Sequence, residues 1–507
     1  MTILSRRDFL KLTGAISASA YFSSLLPAQG GSQKSKVLIL LFDTMSARHL
    51  SLYGYGRETT PHFSRFAERA TVFHSHYSAG NFTTPGTASM LMGMYPWKHR
   101  AHTQGGLVRR DLADRNLFAL FGSDYYRFSF AQTGWANLLM QQFRSDMEKN
   151  PLPTSFALTG SRFFMDRFLR EKPLTSFVFE DFATHLVPDL PGTLLTGYLS
   201  TAYLLRGGSY YRDGFSDYPR GVPTMDVPNI SFRLEDVFAG VLEEIRVAHA
   251  QPRPHLSYYH LFAPHDPFKP RREFLDLFDD DFVPLRKPDH PLSSQVKYQE
   301  LVQKQQMYNR YIANVDSEFG LLMDTLEQDG LLEDTYVLVT SDHGELFERS
   351  TTGHGGPLIF DPVIHVPLMI RAPGQTQRVD IHTHTSNVDV LPTLLTLVGK
   401  QVPENLDGVL LPGLGGVEDP SRPIYSMVSP RSSSFGPLHE GTFVMIQNGY
   451  KLIYYRGYED YQDAYELYDL QEDPDELVNL VDAAAPVAKR MQEQLLHALE
   501  EADQPYL

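Results

Sequence analysis

Six consecutive apolar residues, Val37 to Phe42, run into Asp43 without a polar interruption, and this narrows the available folds more than any other feature of the chain. A strand with one wet face alternates polar and apolar residues, whereas an unbroken run is what an inner strand of a parallel sheet needs, because both of its faces are covered. The same grammar recurs at Tyr336 to Ser341 before Asp342-His343, and less cleanly at Ser257 to Phe262 before Ala263-Pro264-His265-Asp266-Pro267. Three predicted strands thus end on polar groups at one carboxyl edge. In open α/β sheets that edge is where ligands bind, so groups far apart in sequence are expected to meet in one crevice.

Between these strands Tyr311, Val315, Phe319, Leu322 and Leu326 recur at spacings of four, four, three and four, which predicts a helix packed on the sheet and ending near Gly330. Toward the C-terminus, Phe443 to Gln447 and Tyr450 to Tyr455 flank Asn448-Gly449, a type I′ hairpin pattern. The expected architecture is an α/β catalytic domain over 36–399 with a central, mostly parallel sheet flanked by helices, followed by a smaller antiparallel subdomain over 400–507. A chain of 507 residues, 42% of them hydrophobic, can bury cores for both. Residues from about 150 to 227 are rich in Phe, Tyr, Leu, Gly and Pro without clear period and read as an insertion. Within it, Leu186 to Leu205 is apolar, but Pro188, Asp189 and Pro191 argue against a membrane span.

The N-terminus carries Arg6-Arg7-Asp8-Phe9-Leu10-Lys11 and then a mildly apolar run from Leu12 to Leu26, the pattern of a twin-arginine export signal over 1–30. The expectation is a protein handled by the twin-arginine export machinery and delivered to the periplasm or beyond, membrane-anchored if the signal stays uncleaved. The whole chain has a formal charge of −16, which leaves −18 without this segment. Nucleic acid is a poor partner for such a chain, and an anionic substrate needs a local positive centre such as a bound metal ion. There is no cysteine, so disulfides, thiolate metal sites and cysteine-derived cofactors are excluded.

Asn81-Phe82-Thr83-Thr84-Pro85-Gly86-Thr87 reads as the entry to a short helix, with Thr84 as cap, Pro85 in the first turn and Gly93 as terminator. Thr83 then stands just before a helix N-terminus, where backbone N–H groups and the helix dipole favour an anion. Together with the strand ends, Asp43, Asp342 and His343 supply two carboxylates and an imidazole, and Thr83 a hydroxyl, which makes a candidate site for a divalent zinc, manganese, calcium or magnesium ion. The imidazole tilts the choice toward zinc or manganese. Such an ion would lower the pKa of the threonine hydroxyl and polarise a substrate oxygen. His260, inside the third apolar run, reads as a core residue.

From about Val37 to about Leu480 the chain resembles the sulfatase branch of the alkaline phosphatase superfamily. Asp43-Thr44 with Leu52-Tyr53-Gly54-Tyr55 resembles its first metal-binding strand and loop, Thr83-Thr84-Pro85 with Leu91-Met92-Gly93 its nucleophile motif, Pro264-His265-Asp266-Pro267 a substrate-contacting loop, and Ser341-Asp342-His343-Gly344-Glu345 the second metal-binding strand. Gly353-His354-Gly355, Arg371-Ala372-Pro373-Gly374, Val388-Asp389-Val390-Leu391-Pro392-Thr393 and Glu466-Leu467-Tyr468-Asp469 follow in order. The resemblance implies an alkaline-phosphatase-like fold, a metal-dependent hydrolase of sulfate or phosphate esters, the metal set Asp43, Thr83, Asp342 and His343, and His265 and His354 as catalytic partners of Thr83. His102 and Gln104, which follow the nucleophile helix, and Thr87, four residues after Thr83, are the candidate substrate-binding residues by their position in the sequence.

The departures shape the functional expectation. Sulfatases use a formylglycine made from Cys or Ser; the comparable position is Thr83, so no formylglycine is expected. Thr87 and Thr44 replace a familiar arginine and aspartate, and Thr133-Gly134-Trp135-Ala136 lacks the usual lysine and histidine. A threonine nucleophile resembles instead the phosphodiesterase and the phosphoethanolamine- or phosphoglycerol-transferase branches. The expected activity is hydrolysis of a small-molecule, glycan-linked or lipid-linked ester, with phosphodiester or phosphonate chemistry favoured. The alternatives are head-group transfer to an envelope glycan, sulfate cleavage by direct threonine attack, and an inactive glycan- or phosphate-binding relative.

Overall fold

The Val37–Phe42 run forms the strand Lys36–Phe42, buried along its whole length, in the interior of a seven-stranded sheet. The computed structural model describes residues 35–158, 216–225 and 230–507; the predicted export signal and most of the predicted insertion lie outside the described residues. Across the sheet the strands are ordered Val379–Ile381, Thr71–Phe73, Leu368–Arg371, Thr335–Ser341, Lys36–Phe42, His255–Leu261 and Tyr126–Ala131. All pairings are parallel except those of Leu368–Arg371 with its two neighbours. The mostly parallel α/β sheet expected from the unbroken apolar runs is therefore the fold observed.

Two apolar clusters cover the two faces, following the two-residue period of the strands. Leu38, Leu40 and Phe42 pack with Tyr259, Leu261, Val337 and Val339 under the helices Pro61–Ala67, Leu234–His249 and Tyr298–Gln328. Tyr311, Val315, Phe319, Leu322 and Leu326 are all buried, as their spacing demands, and Gly330 takes a φ of +69° just past the helix end. On the other face Val37, Ile39 and Leu41 pack with Tyr258 and Leu338 against the helices Thr83–Met92, Gly134–Gln142 and Val390–Leu397.

A four-stranded antiparallel sheet, Ile424–Val428, Gly441–Gln447, Tyr450–Arg456 and Ala464–Asp469, lies toward the C-terminus with the helix Ala485–Asp503 against it. Its hairpin turn is Asn448-Gly449, with both φ values positive, +52° and +81°, as a type I′ turn requires. This sheet is stitched to the first part of the chain close to the site, where Met427 N donates to Ala79 O at 2.9 Å. Within the subdomain the buried Lys451 Nζ sits 2.6 Å from Glu476 Oε1.

Candidate active site

Register brings the chemistry together. Phe42 pairs with both Leu261 and Ser341, so Asp43 and Asp342 leave the sheet side by side at its carboxyl edge. Leu41 pairs with His260 and Thr340 one step earlier. Because side chains two residues apart share a face, Asp43, Asp342 and His260 all project to the same side. His260 Nε2 lies 3.5 Å from Asp43 Oδ2 and 3.5 Å from Asp342 Oδ2, and His343 Nε2 lies 3.3 Å from Asp43 Oδ1 and 3.7 Å from Asp342 Oδ2. His260 is thus not a core histidine satisfied by its neighbours, as the strand sequence suggested, but a wall of the carboxylate cluster.

The cluster asks for a cation. Both oxygens of Asp43, Oδ2 of Asp342 and Nε2 of His260 and His343 are buried without hydrogen-bond partners, an arrangement too costly to persist without compensation. Burial pushes the Asp43 carboxyl up, but the positive charge of His265, His260 and His343 outweighs it and holds Asp43 below the usual carboxylate range. Asp342 is raised by burial and by Asp43. Burial lowers His343, yet the two carboxylates prevail and lift it to about 9. A divalent ion answers the same demand for positive charge, and Asp43, His260 and Asp342 have ligand atoms close enough to share one.

The backbone around the cluster is held tightly. Asp342 Oδ1 accepts from His343 N at 3.0 Å, Ser341 Oγ donates to His343 O at 2.6 Å and accepts from Met45 N at 2.9 Å. Thr44 adopts a φ of +61°, a conformation that a β-branched residue takes only when its surroundings impose it. The imposing group is Tyr308, whose hydroxyl donates to Thr44 O and accepts from Ser46 N.

Thr83 opens the helix Thr83–Met92 as its first residue instead of preceding it, and Gly93 closes the helix at a φ of +62°. Thr84 does not cap: its hydroxyl accepts from Gly105 N at 3.3 Å, tying the following loop to the helix start. Thr83 lines a cavity of about 320 Å³ together with Phe82, Gln104, Trp135, Phe262, His265 and His354. The Trp135 ring packs on Gly105, where an added Cβ would come within 2.9 Å of it. His354 sits between the metal cluster and His265, with ring centroids 4.5 Å from His343 and 4.9 Å from His265. Its Nδ1 meets Glu345 Oε2 at 3.1 Å, and burial lowers its pKa.

Of the residues proposed to touch substrate, Gln104 lines the cavity and two others do not. Thr87 is fully buried one helical turn inside, and His102 is buried with Nδ1 3.1 Å from Ser429 O. Both lie behind the wall, because the helix turns Thr87 toward the sheet and the loop after the helix Pro96–His99 carries His102 to the C-terminal subdomain. A larger cavity of about 660 Å³, lined by Arg48, His365 and His384 among others, contains none of the metal-cluster residues.

The chain belongs to the sulfatase family: the family model for Sulfatase matches residues 35–170 and 193–400, and that for the C-terminal part of N-sulphoglucosamine sulphohydrolase matches residues 356–504. Enzymes of this family are metal-dependent. Among individual proteins it is 35% identical over 244 residues to choline-sulfatase of Rhizobium meliloti (strain 1021), a stretch covering 43% of this chain and 44% of that protein. Arylsulfatase K of Xenopus laevis is 30% identical over 200 residues, 38% of this chain and 36% of the relative, so the chain aligns with less than half the length of either. The fold is shared with the phosphonate monoester hydrolase of Agrobacterium radiobacter at a TM-score of 0.64 and 21% identity, covering 92% of this chain and 96% of that one.

Proposed function

We propose that this sulfatase-family hydrolase cleaves monoanionic phosphoryl esters, phosphodiesters or phosphonate monoesters, with Thr83 as nucleophile. The observation that carries the reading is the placement of a threonine hydroxyl, in a chain without cysteine, at the first residue of a helix and in one cavity with His265 and His354. A divalent ion bound by the Asp43–Asp342 cluster supplies positive charge that makes an oxygen nucleophile easier to ionise and a phosphoryl group easier to attack. The N-terminal end of the helix that Thr83 opens favours the developing negative charge through the helix dipole.

The proton traffic falls to His354. Burial keeps its imidazole neutral, and with Nδ1–H directed at Glu345 its Nε2 is free to receive a proton. In the proposed step Thr83 Oγ1 gives up its proton to this imidazole and bonds to phosphorus, and the leaving-group oxygen departs with the bonding pair and takes that proton back. Water then attacks the phosphothreonine by the reverse route, releasing the acid product. His265, whose ring centroid is 4.9 Å from that of His354 and which lines the same cavity, is the proposed contact of the leaving group.

The cavity lining contains no lysine or arginine among the described residues. One negative charge on the ester is easier to accommodate there than two, which favours diesters over phosphate monoesters. Sulfate monoesters also carry one charge, and family membership together with the choline-sulfatase likeness supports sulfate as the second reading. The twin-arginine-like N-terminus supports action outside the cytoplasm on a small-molecule or envelope-linked ester, to be checked by fractionation of the full-length protein.

The deciding experiment is turnover by metal-loaded wild type and Thr83→Ala on an aryl sulfate, a phosphate monoester, a phosphodiester and a phosphonate monoester. The expected result is cleavage of the last two, lost in Thr83→Ala. Preferential sulfate cleavage would overturn the choice of ester, and turnover surviving in Thr83→Ala would overturn the nucleophile.

A further inference from the structure

The metal set read from the sequence contains one imidazole, and the fold supplies a second. His260 is fully buried, and its Nε2 has no hydrogen-bond partner while standing 3.5 Å from one oxygen of each carboxylate. That separation is long for a hydrogen bond between an imidazolium and a carboxylate, which closes to about 2.7–2.9 Å. It is the separation of two ligand atoms around a shared ion: with metal–ligand distances of about 2.0–2.2 Å, tetrahedral neighbours stand about 3.3–3.6 Å apart. The His343 contacts, 3.3 and 3.7 Å, fall around the same range.

For an imidazole to ligate through Nε2, its other nitrogen must carry the proton and have somewhere to donate it. Tyr258 provides the acceptor. It lies two residues before His260 on the same strand and therefore on the same face, and its hydroxyl is 3.1 Å from His260 Nδ1. The ring is fully buried beneath the helix that begins with Thr83. We infer that His260 is a ligand of the metal centre, completing Asp43, Asp342 and His343 as a two-carboxylate, two-imidazole set for a first-row transition ion such as zinc, and that Tyr258 is the positioning residue that fixes its ligating tautomer. Two neutral nitrogen donors favour such an ion over calcium or magnesium, which prefer oxygen. The inference rests on the metal dependence of the family but needs no assumption about the ester.

The test is made on the full-length protein without substrate, so that failure of the esterase assay and failure of this assignment are separate results. Zinc affinity is measured by competition with a chelator for wild type, His260→Ala, His260→Gln and Tyr258→Phe, and the visible absorption of each protein loaded with cobalt(II) is recorded. His260→Gln fills the same space and serves if the alanine variant does not fold. The expected results are zinc binding weakened at least 100-fold in the His260 variants and roughly 10–100-fold in Tyr258→Phe, with the cobalt spectrum altered in all and calcium unable to displace zinc from wild type. Unchanged zinc affinity and cobalt spectrum in folded His260 variants would overturn the ligand, an unchanged Tyr258→Phe would overturn the positioning role, and wild type that binds calcium as tightly as zinc would overturn the ion class.

Discussion

The backbone of Gly86 rests against the carbonyl of Asp342: a Cβ at residue 86 would stand 2.2 Å from Asp342 O. One helical turn from Thr83, the helix is therefore seated directly on the end of a metal-cluster strand, with Asn387 Nδ2 donating to Gly86 O at 2.8 Å to hold it there. The distance from Thr83 to the carboxylate cluster is set by two backbones in contact, not by adjustable side chains.

Gly86→Ala should accordingly push the helix off the strand and move Thr83 away from the cluster. A displacement of about 1 Å at a reacting group costs on the order of 100-fold in rate. The expected outcome is a fall of that size in kcat with the far-ultraviolet circular dichroism spectrum retained. Wild-type kcat in Gly86→Ala would show that the helix start tolerates the shift.

The pair Lys451–Glu476 is fully buried, and Glu476 Oε2 also accepts from Asp361 N at 2.7 Å, so it joins the C-terminal sheet to the short helix Asp361–Ile364. Removing one partner leaves an uncompensated buried charge, with a typical cost of about 3–5 kcal/mol. Lys451→Met should lose stability in that range by urea unfolding, and Lys451→Met combined with Glu476→Gln should recover part of it. A double variant no more stable than Lys451→Met would show that the lost contact, not the stranded charge, sets the cost.

Acid should weaken the fold well above the carboxylate range. Burial pushes the imidazoles of His49 and His102 down to about 4, and those of His76, His99 and His255 to about 3, from an ordinary value of 6.5. His99 shows the reason in its contacts: Nδ1 accepts from Ala101 N at 3.1 Å, so a proton there has no place. The unfolded chain gains these protons near pH 6.5 and the folded chain does not, so stability is full above pH 6.5 and falls as the pH drops toward 4, by about 1.4 kcal/mol per pH unit for each histidine. Asp316, raised to about 7 by burial, works in the opposite direction, as do Asp342, Glu318 and Glu476, which burial also raises, but these four acids are outnumbered by the five histidines. Thermal unfolding should move to lower temperature between pH 7 and 5, less steeply in His99→Gln; a flat profile would count against neutral buried histidines.

The sequence made the sheet legible because its signal is local: an unbroken apolar run ending at Asp43 or Asp342 needs no partner to be read. The long helix and the Asn448-Gly449 hairpin were legible for the same reason, since period and turn chemistry are properties of neighbouring residues. His260 was not, because its side depends on the pairing of Leu41 with His260, and register is a relation between strands that no single segment contains. Thr87 and His102 read as pocket residues by proximity in sequence to Thr83, yet the turn of the helix and the fold of the next loop carry them behind the wall. The signal that could have found His260 is its two-residue offset from Tyr258, a second polar aromatic on the same face of the strand His255–Leu261.

The last expectation concerns the cost of keeping two acids buried together. Asp43 and Asp342 are both inaccessible to water, and Asp342 is raised in part by the charge of Asp43. Asp43 is held charged by the histidines around it, so the cost of the pair falls on Asp342. In metal-free protein the charge of Asp342 opposes folding, and in metal-loaded protein it becomes ligand strength, so one substitution should act with opposite signs in the two forms. Asp342→Asn keeps the shape of the side chain and removes its charge. Its metal-free form should unfold at a higher temperature than metal-free wild type, while added zinc, which should raise the wild-type unfolding temperature by linkage of about 2.7 kcal/mol at 100 times the dissociation constant, should raise that of Asp342→Asn far less. Differential scanning calorimetry with and without chelator checks both halves, and an Asp342→Asn protein less stable than wild type in chelator would mean that Asp342 serves the folded chain as a structural acceptor independent of any ion.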